Sequence, residues 1–120
     1  MNKSQYAPFV RPMANWIPYT QPEPPGAAFV QVLNKDEVPD LALGRVTLTG
    51  PIHKTPATHT DCEQIYLILA GEGTIHLAGR QQAIDGPGVV VIPRHTLHSM
   101  EVAKGHTLTY YFINQYSGGS

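Results

Sequence analysis

The chain has 120 residues, of which 42% are apolar and only 14% are charged. This length and apolar content indicate one domain with its own hydrophobic core and exclude a disordered chain. Eight basic and nine acidic residues give a net charge of −1 at neutral pH. We therefore expect neither a nucleic acid nor a membrane surface as a partner.

Features of the sequence also bear on the cellular compartment. No apolar run approaches the length of a membrane span, and the first eight residues lack the apolar core of a signal peptide. The one cysteine, Cys62, cannot form an internal disulfide. Together these features predict a cytoplasmic location.

Residues 1–26 contain six of the eleven prolines, so this segment is unsuited to a helix or a central strand. It also contains four aromatic residues, Tyr6, Phe9, Trp16 and Tyr19, which are unusual in a free linker. We expect an extended arm that lies on the domain or on a partner subunit. A partly ordered leader is the alternative.

Short strands separated by turn signals fill residues 27–116, which we interpret as the domain proper. Within each segment the pattern is apolar or alternating, and glycine, proline or asparagine stands between segments. The predicted strands include Ala27–Leu33, Arg45–Thr49, Gln64–Leu69, Thr74–Leu77, Val89–Ile92, His98–Val102 and Thr107–Ile113. A turn is predicted at residues 71–73, and residues 117–120 are predicted to form a flexible tail. Roughly eight strands at this spacing indicate an all-β sandwich or barrel.

The predicted strand Gln64–Leu69 is apolar on both of its faces. One face is expected to enter the core, and an outer face this apolar is not expected to stay in contact with water. Together with the aromatic arm, this pattern predicts a homodimer.

Six histidines are the main candidates for chemistry in a chain with so few charges. They are His53, His59, His76, His95, His98 and His106. His59 precedes the strand that Gln64 opens, and His98 opens another strand whose inward face continues with Met100. Such residues are either hydrogen-bonded core residues or metal ligands, and both interpretations stay open.

Two stretches resemble the motifs of the cupin superfamily. Residues 59–73 resemble the first motif, which runs Gly, five residues, His-x-His, three or four residues, Glu, six residues, Gly. Residues 89–98 resemble the second, which runs Gly, five residues, Pro-x-Gly, two residues, His, three residues, Asn. The resemblance covers about residues 45–113 and implies a small double-stranded β-helix, usually dimeric and often with a divalent metal inside its barrel.

The resemblance also implies a set of metal ligands. Cupins typically use two His and one Glu of the first motif and one His of the second. Here His59 and His98 match, Gln64 replaces the Glu, and Ala57 stands where the other His is expected. Three neutral ligands suit Zn, Ni, Fe or Cu better than metals that prefer carboxylates. His53 is a candidate for the missing ligand, with a solvated loop histidine as the alternative.

These observations predict metal-dependent chemistry on a small organic molecule, with lyase, isomerase, cyclase and oxygenase activities all open. The substitutions at Ala57 and Gln64 support an alternative, a metal-free cupin that binds a small ligand or serves as an accessory protein. A purely structural, dimerising module is a third interpretation. Candidates for the pocket lining are Tyr66, His95, Met100 and Tyr110. No residue is assigned a catalytic role, and Cys62, with no basic neighbour in the sequence, is expected to be an inert thiol.

Overall fold

The computed structural model describes residues 6–18 and 24–117, which form nine β-strands and one short 3-10 helix, Met13–Asn15. The strands are β1 (Ile17–Pro18), β2 (Ala27–Leu33), β3 (Leu41–Thr49), β4 (Ile52–His53), β5 (Glu63–Leu77), β6 (Arg80–Asp85), β7 (Gly88–Ile92), β8 (His98–Val102) and β9 (Thr107–Gln115). The prediction of an all-β fold is confirmed. In the described ranges no helix is long and apolar enough to cross a membrane.

The strands form two antiparallel sheets that share one long strand. The first sheet has the order β1-β2-β3-β9-β5-β7, and the second has the order β4-β8-β5-β6. The first half of β5 pairs with β9 and β7, whereas its second half pairs with β6 and β8. β5 is therefore an interior strand of both sheets.

The turn predicted at residues 71–73 is wrong, because β5 runs through these residues without a break. The pairing of β5 with β9 shifts register between Ile68 and Ala70, and Gly71 has a φ of 102°. A Cβ at Gly71 would lie 2.0 Å from the carbonyl oxygen of Thr107. The glycine thus lets the strand bend from one sheet into the other, and the chain does not reverse.

The core lies between the two sheets and follows the predicted alternation. Val46 and Leu48 share the inner face of β3, and Met100 and Val102 share that of β8. The largest side chains that are almost fully buried are Leu48, Ile75, Ile92 and Leu108. Because these residues come from both sheets, they hold the sheets together face to face.

The outer face of the first sheet is apolar around β5 and β7. Leu67 is opposite Val89 and Ile65 is opposite Val91 in the pairing of these strands. Leu67 is 38% exposed, Val89 62% and Val91 59%. The outer apolar face of the predicted strand Gln64–Leu69 is therefore exposed to solvent in the single chain.

Residues 6–18 of the predicted arm lie against the domain of the same chain. Ile17 pairs with Gln31, and the edge of the Trp16 ring contacts Tyr111 with ring centroids 6.0 Å apart. The Arg11 guanidinium pairs with the Glu37 carboxylate. Residues 1–5 and 19–23 of the predicted arm and residues 118–120 of the predicted tail lie outside the described residues. The division of the chain at residue 26 stays a prediction.

Candidate functional site

A cavity of about 300 Å³ lies inside the barrel. Its wall consists of side chains from β2, β3, β5, β8 and β9 together with the segment 54–59. His59, Gln64 and His98 all line this cavity. The structure thus brings together the three residues that the sequence suggested as ligands.

The rings of His59 and His98 lie close together on the cavity wall, with centroids 5.2 Å apart and planes inclined by 40°. His98 is 6% exposed, and an isolated β-bridge joins it to Ala57 through backbone hydrogen bonds of 2.9 and 3.0 Å. Directly opposite residues on paired strands share a face. Ala57, the position where the motif has its other His, therefore also lies at the cavity wall.

One hydrogen bond sets the tautomer of His98. Its Nδ1 lies 2.9 Å from the carbonyl oxygen of Thr96, which can only accept, so Nδ1 carries the proton. Burial lowers the pKa of His98, and the nearby His59 and Lys54 act in the same direction, whereas the bond to Thr96 opposes them. The ring is thus held neutral with Nε2 as an electron-pair donor, which is the form that binds metals.

Hydrogen bonds also fix the side chain of Gln64. Its Nε2 donates to Oδ1 of Asn114, the residue directly opposite on β9, over 2.9 Å. Its Oε1 accepts from the Tyr66 hydroxyl at 3.5 Å. Burial raises the pKa of Tyr66, so this hydroxyl keeps its proton at neutral pH. Both the nitrogen and the oxygen of this buried amide therefore have a hydrogen-bond partner.

Three of the predicted pocket residues, Tyr66, Met100 and Tyr110, line the cavity, and the rings of Tyr66 and Tyr110 are in contact with centroids 4.7 Å apart. His95 is exposed and is not part of the cavity wall. Its φ is 66°, in the left-handed region that favours glycine, and it occupies the glycine position of the Pro-x-Gly motif. His95 therefore lies outside the cavity wall, at a turn position whose backbone would favour glycine.

The structure does not bring His53 to the cavity. Ile52 points inward from β4 and is buried, so the next residue, His53, is on the outer face and exposed. Its ring stacks on that of His76, with centroids 5.0 Å apart. His53 therefore does not replace the missing ligand at position 57.

Several residues of the cavity wall were not predicted from the sequence, notably Lys54, Phe112 and Asn114. Phe112 and Asn114 continue the inward alternation that begins at Tyr110. Phe112 lies within the predicted strand Thr107–Ile113 but was not assigned to the pocket, and Asn114 lies one residue beyond the predicted end of that strand. No pattern pointed to Lys54. Lys54 places a positive charge at the cavity wall, and the described residues of the wall include no carboxylate.

The sequence matches the family of AraC-like ligand-binding domains over residues 39–115, which is more than half of the chain. The chain belongs to this family. No curated protein sequence matches this AraC-like ligand-binding domain.

Solved structures of cupins share the fold of the domain. A predicted oxalate decarboxylase from Thermotoga maritima is 20% identical, with a TM-score of 0.79 over 90% of this chain and 99% of its own. The polyketide cyclase RemF from Streptomyces resistomycificus is 16% identical, with a TM-score of 0.78 over 92% of this chain and 81% of its own. The cupin domain of Cnp3 from Schizosaccharomyces pombe is 15% identical, with a TM-score of 0.73 over 90% and 74%. The resemblance to cupins is confirmed at the level of the fold.

Proposed function

We propose that the domain binds a small organic anion inside its barrel, together with a divalent transition metal held by His59, Gln64 and His98. The observation that carries the proposal is the pair of imidazoles, 5.2 Å apart, on the wall of a cavity that also presents Lys54. A cavity of about 300 Å³ suits a small molecule.

The donor set fits a transition metal of the Zn, Ni, Fe or Cu type. It consists of two imidazoles and one amide oxygen, and His98 is oriented through Nδ1 as metal-binding histidines commonly are. With no carboxylate among the described wall residues, Mg²⁺ and Ca²⁺ are poor candidates. A bound metal would supply a Lewis acid that polarises an oxygen atom of the ligand.

The remaining wall residues favour an anionic ligand with an apolar body. Lys54 offers a positive charge that no carboxylate of the described wall neutralises. Phe112 and Tyr110 offer apolar surface, and the amide of Asn114 offers a polar contact beside Gln64. The similarity to a protein named as a predicted oxalate decarboxylase agrees with an anionic ligand. The class of reaction stays open.

A second candidate function is ligand binding without a metal. Ala57 removes one of the four ligands that the cupin motif supplies, and Gln64 replaces a charged ligand by a neutral one. The family description, a ligand-binding domain, fits this alternative equally well.

Metal analysis of untagged protein, wild type and His98→Ala, separates the two candidates. The proposal expects that the wild type holds a barrel metal and that His98→Ala loses one equivalent per chain while its circular dichroism spectrum is unchanged. His106→Ala is the control, because His106 lies outside the cavity and pairs with Glu72. Equal metal content in wild type and His98→Ala would favour binding without a metal in the barrel.

The oligomeric state and the cellular location complete the proposal. We propose that the exposed apolar face around Leu67, Val89 and Val91 is the contact surface of a homodimer. The cytoplasmic location stays a prediction that agrees with Cys62 as a free, buried thiol.

A further inference from the structure

Two histidines and a glutamate, side chains of the types that ligate metals, lie together on the outer face of the second sheet. The pairing of β4 with β8 sets His53 opposite Glu101, and the pairing of β5 with β8 sets His76 opposite Ser99. The inward neighbours of these residues, Ile52, Ile75 and Met100 among them, are buried in the core. By the alternation of a β-strand, His53, His76 and Glu101 therefore share the opposite face.

The three side chains are already close together. A ring nitrogen of His53, a ring nitrogen of His76 and a carboxylate oxygen of Glu101 all lie within 4.8 Å of one another. Nε2 of His76 is 3.0 Å from Oε1 of Glu101. In a tetrahedral zinc site the ligand atoms are about 3.3 Å apart, so only small side-chain rotations are needed.

The surroundings suit an ion that arrives from solvent. Oγ of the buried Ser99 lies 3.3 Å from Nε2 of His53 and orients that ring, as outer partners of metal-binding histidines do. His53 is exposed and the Glu101 side chain is 44% exposed, so the entrance is open. Unlike the barrel cavity, this group includes a carboxylate.

We propose that His53, His76 and Glu101 form a second transition-metal site, which binds Zn²⁺ and fastens β4 to the second sheet. Two imidazoles and one carboxylate are a frequent ligand set for zinc, with a water molecule in the fourth position. β4 has only two residues and pairs only with β8 among the described strands. An ion shared by β4, β5 and β8 adds a cross-link that this short strand otherwise lacks. None of the three proposed ligands lines the barrel cavity.

The alternative is that His76 and Glu101 form only a hydrogen-bonded surface pair. The chain offers a matched example, since Nδ1 of His106 lies 3.1 Å from Oε2 of Glu72. Among the described residues, no third histidine, cysteine or carboxylate lies close enough to His106 and Glu72 to complete a metal-binding group. It therefore serves as the control for a histidine and a carboxylate alone.

Equilibrium dialysis of the full chain against micromolar Zn²⁺ tests the site. With both sites present, the wild type and His106→Ala bind two ions per chain. His76→Ala, Glu101→Gln and His98→Ala each bind one ion, and the double variant His76→Ala/His98→Ala binds none. We expect the affinity of the altered site to fall at least about 10-fold when one ligand is removed. Glu101→Gln keeps the size of the side chain, which guards against a loss of folding.

Thermal unfolding of His98→Ala gives a second readout. Zn²⁺ is expected to raise the melting temperature of His98→Ala and to leave that of His76→Ala/His98→Ala unchanged, because only the former retains a site. If His98→Ala binds no zinc, or if His76→Ala keeps as many ions as the wild type, the second site is refuted. If His76→Ala binds none while His98→Ala binds one, the barrel metal is refuted and the second site stands.

Discussion

At the scale of single residues, Ala57 decides how many ligands the barrel can offer. It lies opposite His98 in an isolated bridge and lines the cavity. We expect Ala57→His to raise the affinity for Zn²⁺ or Ni²⁺ at least about 10-fold, because it adds an imidazole to the face that His59 and His98 share. Competition with a chromogenic chelator measures this change. Unchanged affinity would mean that position 57 does not face the metal.

Gln64 is a neutral residue at the position where the cupin motif has a negatively charged glutamate. Gln64→Glu is expected to strengthen metal binding and to shift preference towards harder ions such as Mn²⁺, since a carboxylate replaces a neutral amide. The same change replaces the amide that donates to Asn114, so thermal stability without metal should fall. Titration of both proteins with Zn²⁺ and Mn²⁺ measures the shift. The prediction fails if the ratio of the two affinities stays constant.

Cys62 illustrates a thiol that the fold protects. It is 2% exposed, and burial, followed by the charge of Asp61, raises the pKa of its thiol. Because the thiolate is the reactive form, native protein is expected to react with iodoacetamide more slowly than the unfolded chain, with its rate profile displaced to higher pH. Mass spectrometry of samples quenched between pH 7 and about 10 measures this. Equal rates in native and unfolded protein would contradict it.

At the scale of elements, Gly71 and Gly79 provide a matched pair. Both have positive φ, 102° and 84°, but only at Gly71 would a Cβ meet another atom, the Thr107 oxygen at 2.0 Å. We expect Gly79→Ala to lower the free energy of unfolding by about 1–2 kcal/mol, the cost of the left-handed backbone. Gly71→Ala should cost several kcal/mol, because the backbone must also shift. Urea denaturation compares the two, and equal losses would show that the bend of β5 tolerates a side chain.

The same strand shows what sequence patterns can predict. The bounds of β2 and β8 follow from their alternation and from the turn residues around them. For β5 the glycines at 71 and 73 carried the same signal as a turn, because glycine allows both a reversal and a bend. The pairing with β9 on one side and β8 on the other selects the bend, and these partners are distant in sequence.

The candidate sites show the same limit of local sequence patterns. His59, Gln64 and His98 were predictable as neighbours because a motif with fixed spacing encodes their convergence. The group of His53, His76 and Glu101 was not, because its members come from three strands and meet only through the register of β4 and β5 on β8. A local pattern carries no information on such a register.

At the scale of the whole molecule, the apolar face of the first sheet predicts the oligomeric state. We expect the wild type to be a dimer at micromolar concentration and Val91→Lys to be a monomer, because a lysine at this 59% exposed position adds a charge to the proposed contact. Val10→Lys is the control, since Val10 is 92% exposed in the arm. Light scattering gives the mass of each protein. A wild type with the mass of one chain would refute the dimer.

The sharing of β5 between the two sheets has a consequence for how the molecule unfolds. β5 is one continuous strand in the interior of both sheets, so a disruption that removes the whole of β5 breaks both sheets at once. Amide hydrogens in both halves of β5 should therefore exchange with solvent through one common opening event of the same free energy. We therefore expect the two sheets to unfold as a single cooperative unit, in which a stabilising change in either sheet protects the β5 backbone in both.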